Sequence, residues 1–147
     1  SRYAFAYNED DVSNQTWGSR IYLVNADGSG LTTLTDRFTE ANIYRVIWSP
    51  DGKKLALYFR HGLSNPWPHE SFGIYSLEPA KLHVFSTGIP TSSSIMRQND
   101  FVWSPDSQWI AFFGSWGQVD IRVLDTNTGK SYCITKDLIT EKIIDWR

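Results

Sequence analysis

The stretch Ile47-Trp48-Ser49-Pro50-Asp51-Gly52-Lys53-Lys54-Leu55-Ala56-Leu57 decides how this chain is read. It returns 55 residues later as Val102-Trp103-Ser104-Pro105-Asp106-Ser107-Gln108-Trp109-Ile110-Ala111-Phe112. In each copy an apolar run ends at a tryptophan, a turn cluster follows, and a second apolar run begins, which is the pattern of a β-hairpin. The proline ring presets φ for the second turn position, Asp51 can hold local backbone N–H groups, and Gly52 supplies a positive φ without a Cβ clash. The second copy keeps Pro105 and Asp106 but carries Ser107 where the first has glycine. A left-handed serine costs about 1–2 kcal/mol, so a looser turn is expected there.

Working outward, a further pattern follows each hairpin: Ile74-Tyr75-Ser76-Leu77 after the first and Ile121-Arg122-Val123-Leu124-Asp125 after the second. Ile21-Tyr22-Leu23-Val24-Asn25 is an earlier instance, and Tyr3-Ala4-Phe5-Ala6 matches the stretches around Ala56 and Ala111. Ile144-Asp145-Trp146-Arg147 reads as the opening of one more unit. The chain is therefore a repeat protein whose unit is four short strands. In the fullest unit they fall near residues 43–48, 53–60, 73–77 and 82–86. The run Leu55-Ala56-Leu57-Tyr58-Phe59 is apolar on both faces, so it must be covered on both sides, as when sheets stack face to face. Asn25-Ala26-Asp27-Gly28 and Asp125-Thr126-Asn127-Thr128-Gly129 supply hairpins between third and fourth strands, and Glu78-Pro79-Ala80 does so with weaker turn chemistry. Residues 137–144 are the one helix-tempting segment, but their place in the repeat reads as a loop leading into a strand.

Composition sets the outer limits. Hydrophobic residues are 41% and charged residues 20% of 147, a globular balance. Aromatic residues reach 15%, a load suited to stacked sheets or a binding rim. The net charge of −2 provides no basic field for nucleic acid. Cys133 stands alone, which excludes an intrachain disulfide and a thiolate metal cluster. No apolar run is long enough for a membrane-spanning helix. Ser1-Arg2-Tyr3 carries neither an initiator Met nor a signal-peptide core, so a processed form or a piece of something longer is expected.

Four antiparallel strands recurring every 43 to 55 residues imply blades of a β-propeller, an all-β fold. The signature Trp48-Ser49-Pro50-Asp51-Gly52, with Lys53-Lys54-Leu55-Ala56 after it and the Ile21-Tyr22-Leu23-Val24-Asn25-Ala26-Asp27-Gly28 pattern, resembles the TolB-like propeller repeat, a WD-like unit. The Gly-His and Trp-Asp marks of WD repeats proper are absent, since Asp145-Trp146 has the reverse order. The blade units are read as about 1–42 (with the 143–147 type of strand), 43–98 and 99–142, making three blade-equivalents that begin with a second strand and end with a first. Closed propellers have roughly four to eight blades, so three cannot close. Two resolutions are open. Two copies could pair head to tail into a six-bladed ring, each 143–147 strand completing the other's first blade, or the chain could be a stretch of a larger propeller. The resemblance implies six blades, a periplasmic or extracellular compartment (the cytoplasm not being excluded), and a cell-envelope protein as one kind of partner.

Candidate sites follow from the repeat. Trp48 and Trp103 sit at matching positions and read as packing residues between blades, and the Ser-Pro-Asp turns, with Pro50, Asp51, Gly52, Pro105 and Asp106, as structural. Propeller function lies in loops at one rim. The loops between second and third strands each contain a tryptophan, Trp17, Trp67 and Trp116, and three there would make an aromatic rim for a protein, peptide or glycan. His61 and His69 count with the binding rim; together with Glu70 they could also ligate zinc, but a spacing of eight has no regular-structure rationale. Glu9, Asp10 and Asp11 lack the ligand spacing of a calcium loop. Arg45, Arg97 and Asp100 flank first strands and are candidates for the channel lining, Arg97 with the binding rim. Asn14-Gln15-Thr16 matches a glycosylation sequon by pattern only. No serine elbow, phosphate loop or zinc-protease motif occurs. The expectation is thus a non-catalytic binding module with no cofactor or metal. The competing expectations are the gating propeller of a prolyl-oligopeptidase-like peptidase, an accessory propeller of a glycan-active enzyme, or an extracytoplasmic sensor.

Overall fold

The computed structural model describes residues 1–11, 16–36, 38–39, 41–61, 69–90, 101–115, 119–135 and 146. These residues are all β and hold no helix long and apolar enough to cross a membrane. The first blade contains β1 (Arg2–Asp11), β2 (Thr16–Asn25), β3 (Thr32–Thr33) and β4 (Phe38–Thr39). The second contains β5 (Ala41–Trp48), β6 (Lys54–His61), β7 (His69–Leu77) and β8 (Ala80–Pro90). The third contains β9 (Phe101–Trp103), β10 (Trp109–Ser115), β11 (Val119–Asp125) and β12 (Ser131–Cys133). Each blade is an antiparallel sheet, ordered β5-β6-β7-β8 and β9-β10-β11-β12 in the two complete ones. In the first blade β3 and β4 pair with one edge of β2, at Tyr22–Leu23 and Gly18–Ser19, as two halves of an interrupted outer strand. That strand reaches Thr39, inside the 1–42 unit read from the repeat.

The sheets stack because their central strands are apolar on both faces. Along β6, Leu55, Leu57 and Phe59 enter one core and Ala56 and Tyr58 the other. All five are 0–3% exposed. The core between the first two blades adds Ile21, Ala41, Ile43 and Tyr75, with Ala4 and Ala6 packed against it. The core between the second and third blades is aromatic. Phe72 meets Phe101 edge-on at 5.0 Å and Phe112 at 4.9 Å, a geometry worth ~0.5–1.5 kcal/mol per pair beyond area burial.

The two Ser-Pro-Asp turns are built alike. The Ser49 hydroxyl donates to Asp51 Oδ1 at 2.6 Å and accepts from Lys54 N at 2.9 Å. Ser104 does the same with Asp106 at 2.5 Å and Trp109 N at 2.9 Å. The looser turn expected at Ser107 does not occur. Ser107 takes φ 60° against 69° at Gly52, and both close with an N–H to the serine carbonyl, at 3.0 and 2.9 Å. The reason lies in the neighbouring blade. Ser107 Oγ, buried at 1% exposure, accepts from Asp51 N at 3.1 Å, and this bond offsets the left-handed strain.

Candidate functional site

Equivalent strands place equivalent connections at the same end of every blade. The β1–β2, β6–β7 and β10–β11 connections therefore share one rim, and the strand-joining turns around Asp27, Asp51, Glu78, Asp106 and Asp125 share the other. Trp17 lies on β2 opposite Asp10 in the register, with its side chain outside the described set. Trp67, Trp116, Arg97, Asp100 and the Asn14 sequon fall outside the described residues. His61 ends β6 and His69 begins β7, and the register sets them directly opposite each other. Eight residues is thus the span of a hairpin mouth, a rationale that spacing alone did not reveal. Among the described residues, no group of three or more His, Cys, Asp or Glu could hold a metal ion.

The acidic run at the end of β1 is partly tied down. Glu9 accepts from the Tyr22 hydroxyl at 2.8 Å and lies 3.5 Å from Arg20 Nε. The bond to the Glu9 carboxylate holds the Tyr22 hydroxyl above its ordinary pKa. Arg45, on the first strand β5, lays its guanidinium over the Phe101 ring of the third blade at 5.2 Å. Trp103 is buried and its Nε1 donates to the Ile47 carbonyl at 3.4 Å across the seam. Trp48, facing Leu55 as Trp103 faces Ile110, packs against the core between the first two blades.

At the turn rim the carboxylates serve the backbone. Hydrogen bonds from Ser49 and Ser104 hold Asp51 and Asp106 below the usual carboxylate range, and the Asn127 N–H does the same for Asp125. Beside them opens a recess of about 410 Å³ lined by Arg2, Gly52, Lys53, Leu77 and Glu78. Sequence reading missed it. It is built from three segments about 25 to 75 positions apart, and only packing of the first blade on the second brings Arg2 to the two turns. Among its described lining residues, Arg2 and Lys53 are cationic and Glu78 is the carboxylate.

No protein-family profile matches the chain. A segment of 58 residues is 36% identical to dipeptidyl-peptidase 5 from Porphyromonas gingivalis, covering 40% of this chain and 8% of that protein. Among solved structures, the β-propeller domain of the Trilobed protease from Pyrococcus furiosus superimposes with a TM-score of 0.60 at 14% identity, over 90% of this chain and 39% of that one. Oligogalacturonate lyase from Vibrio parahaemolyticus does so with a TM-score of 0.57 at 16% identity, over 96% and 39%. The chain is a run of β-propeller blades. It spans about two fifths of these two solved chains and 8% of the curated relative.

Proposed function

We propose that these blades belong to a TolB-like, non-catalytic propeller that works beside a peptidase active site in the periplasm or outside the cell. Its rim, carrying Trp17, Trp67 and Trp116, receives the peptide. The observation that supports this reading is the 58-residue likeness to dipeptidyl-peptidase 5, a stretch at 36% identity. The aromatic rim suits the role because tryptophan offers a large, stiff contact face with one donor for a peptide carbonyl.

The test is a titration of short proline-containing peptides, and separately of oligogalacturonate, against the protein by calorimetry. Saturable peptide binding is expected, weakened at least about tenfold in the Trp17→Ala/Trp67→Ala/Trp116→Ala variant while its far-UV circular dichroism is retained; tenfold corresponds to about 1.4 kcal/mol. Binding of oligogalacturonate without peptide, or peptide affinity unchanged in the triple variant, would overturn the reading.

A further inference from the structure

The first strand of the second blade carries one residue more than its ladder uses. Ile43 pairs with Phe59 and Arg45 with Tyr58, so Tyr44 stands between two consecutive pairs with no partner of its own on β6. Such a β-bulge leaves the extra residue outside the pairing and re-aims the side chains beside it. The cores do not use the insertion. Ala41 and Ile43 before it, and Val46 and Trp48 after it, pack in the core between the first two blades, while Ile47 packs toward the third. Arg45 lays its guanidinium over Phe101 of the third blade. Without Tyr44, each of these residues would keep its β6 partner and its face.

The bulge displaces one aromatic ring from an otherwise buried strand. Ala41 and Ile43 are 2% and 5% exposed, whereas Tyr44 is 50% exposed. Its ring stays against the seam between the second and third blades, 6.3 Å from the ring of the buried Tyr58. Tyr58 is held in turn by Phe72 at 5.5 Å and Phe101 at 6.4 Å. Both sheets of that seam are described with their first strands, β5 and β9, so Tyr44 is exposed in a seam with both members in place. The first strands of propeller blades line the central channel. Tyr44 lies three residues along β5 from Ala41, which pairs with His61 at the rim of the β6–β7 connection, and three residues of strand span about 10 Å. The bulge also interrupts the row of backbone groups that an added strand would need, so what β5 offers there is a ring and not a ladder.

We propose that Tyr44 is a ligand contact in the wall of the central channel, where its ring takes an aromatic side chain of a peptide that enters past the rim. This rests on the peptide-receiving role proposed above and adds to it a second contact with a side-chain preference. A tyrosine ring backed by Tyr58 is a stiff apolar face with a hydroxyl at its tip, and another ring packs on such a face offset or edge-on. The bulge supplies that face at no expense to the cores, because Ile43 and Arg45 on either side keep their buried places.

The experiment measures calorimetric binding of two proline-containing hexapeptides that differ at one central position, phenylalanine or alanine. The proteins compared are the wild type, Tyr44→Ala and the triple tryptophan variant. Tyr44→Ala should weaken the phenylalanine peptide about three- to tenfold and leave the alanine peptide within about twofold. Its melting temperature should stay within about 5 °C of wild type, since the ring belongs to neither core. Deleting Tyr44, which closes the ladder, should abolish the phenylalanine preference in the same way with the circular dichroism spectrum retained. Equal losses for the two peptides, an unchanged phenylalanine peptide, or a melting temperature that falls well beyond that range overturns the contact, and the tryptophan rim then stands or falls on its own variant. A phenylalanine preference lost in Tyr44→Ala, with both affinities unchanged in the triple tryptophan variant, supports the contact and removes the rim. Wild-type protein that binds neither peptide, or binds oligogalacturonate in their place, overturns both.

Discussion

The two seams between blades join similar sheets by different means. The seam between the second and third blades is aromatic, centred on Phe72, Phe101 and Phe112. It is latched at the turn rim by Trp103 to Ile47, Asp51 to Ser107, and Lys54 Nζ to Thr126 and Asn127, both at 3.2 Å. The seam between the first and second blades is largely aliphatic and has no tryptophan latch among the described residues. Its polar contacts lie within the stack. The buried Ser19 hydroxyl accepts from Ile43 N at 3.1 Å and lies 2.9 Å from the Ala41 carbonyl, and the Tyr75 hydroxyl donates to the Leu34 carbonyl at 3.1 Å. Repeating a blade sequence reproduces the sheet, but the latch depends on which strand the neighbour presents.

The largest test of this contrast is Phe72→Ala. It removes the ring around which the aromatic seam is built and should cost about 3–5 kcal/mol, read as a fall in the urea midpoint. Ser19→Ala attacks the other seam through one hydroxyl and should cost ~1–3 kcal/mol, because Ile43 N and Ala41 O lose a shared partner in a buried place. An unchanged midpoint would show that the Ser19 contacts add nothing to that seam.

The two turns sharpen the comparison further. Gly52→Ala meets no atom within 4 Å at its Cβ, so it should cost only the left-handed strain, about 1–2 kcal/mol. Ser107→Ala loses the bond from Asp51 N without relieving strain and should cost about 1 kcal/mol. Ser107→Gly loses the bond but relieves the strain, so it should lie within ~0.5 kcal/mol of wild type if the two effects offset. Thermal melts of the three variants would rank them, and a Ser107→Gly variant as unstable as Ser107→Ala would remove strain from the account.

The smallest expected effect is a pH dependence. Asp51 and Asp106 have folded pKa values depressed chiefly by the Ser49 and Ser104 hydroxyls. Their contribution is complete above the unfolded carboxylate value near ~3.9 and is lost as pH falls through the depressed folded values. The Asp51→Asn/Asp106→Asn variant should therefore narrow its gap to wild type as pH drops below about 4, followed by melting temperature across that window. A gap that stays constant would show that neither carboxylate is linked to stability.

The repeat and its turn chemistry were legible because they are local. Alternation, proline, aspartate and glycine act over a few residues, and the Trp-Ser-Pro-Asp hairpins formed where the pattern put them. Ser107 departs from its expected turn because its compensation comes from Asp51, 56 residues away. The opposition of His61 and His69 required a register, and the Arg2–Lys53–Glu78 recess required two blades to be stacked. None of these carries a local signal. The three tryptophans were legible as a sequence pattern only: Trp17 lies on β2 opposite Asp10, and Trp67 and Trp116 lie outside the described residues.

The sequence by itself thus determined the strands, the four-strand unit and the two-sided apolarity of β6, since backbone preference and side-chain periodicity are properties of short segments. Only the tertiary structure decided that Asp51 N finds its acceptor in Ser107 and Trp103 Nε1 finds its own in the Ile47 carbonyl, and that Leu55, Leu57 and Phe59 enter one core while Ala56 and Tyr58 enter another. Burial and hydrogen bonding belong to pairs of surfaces, and the second member of each pair is supplied by another blade.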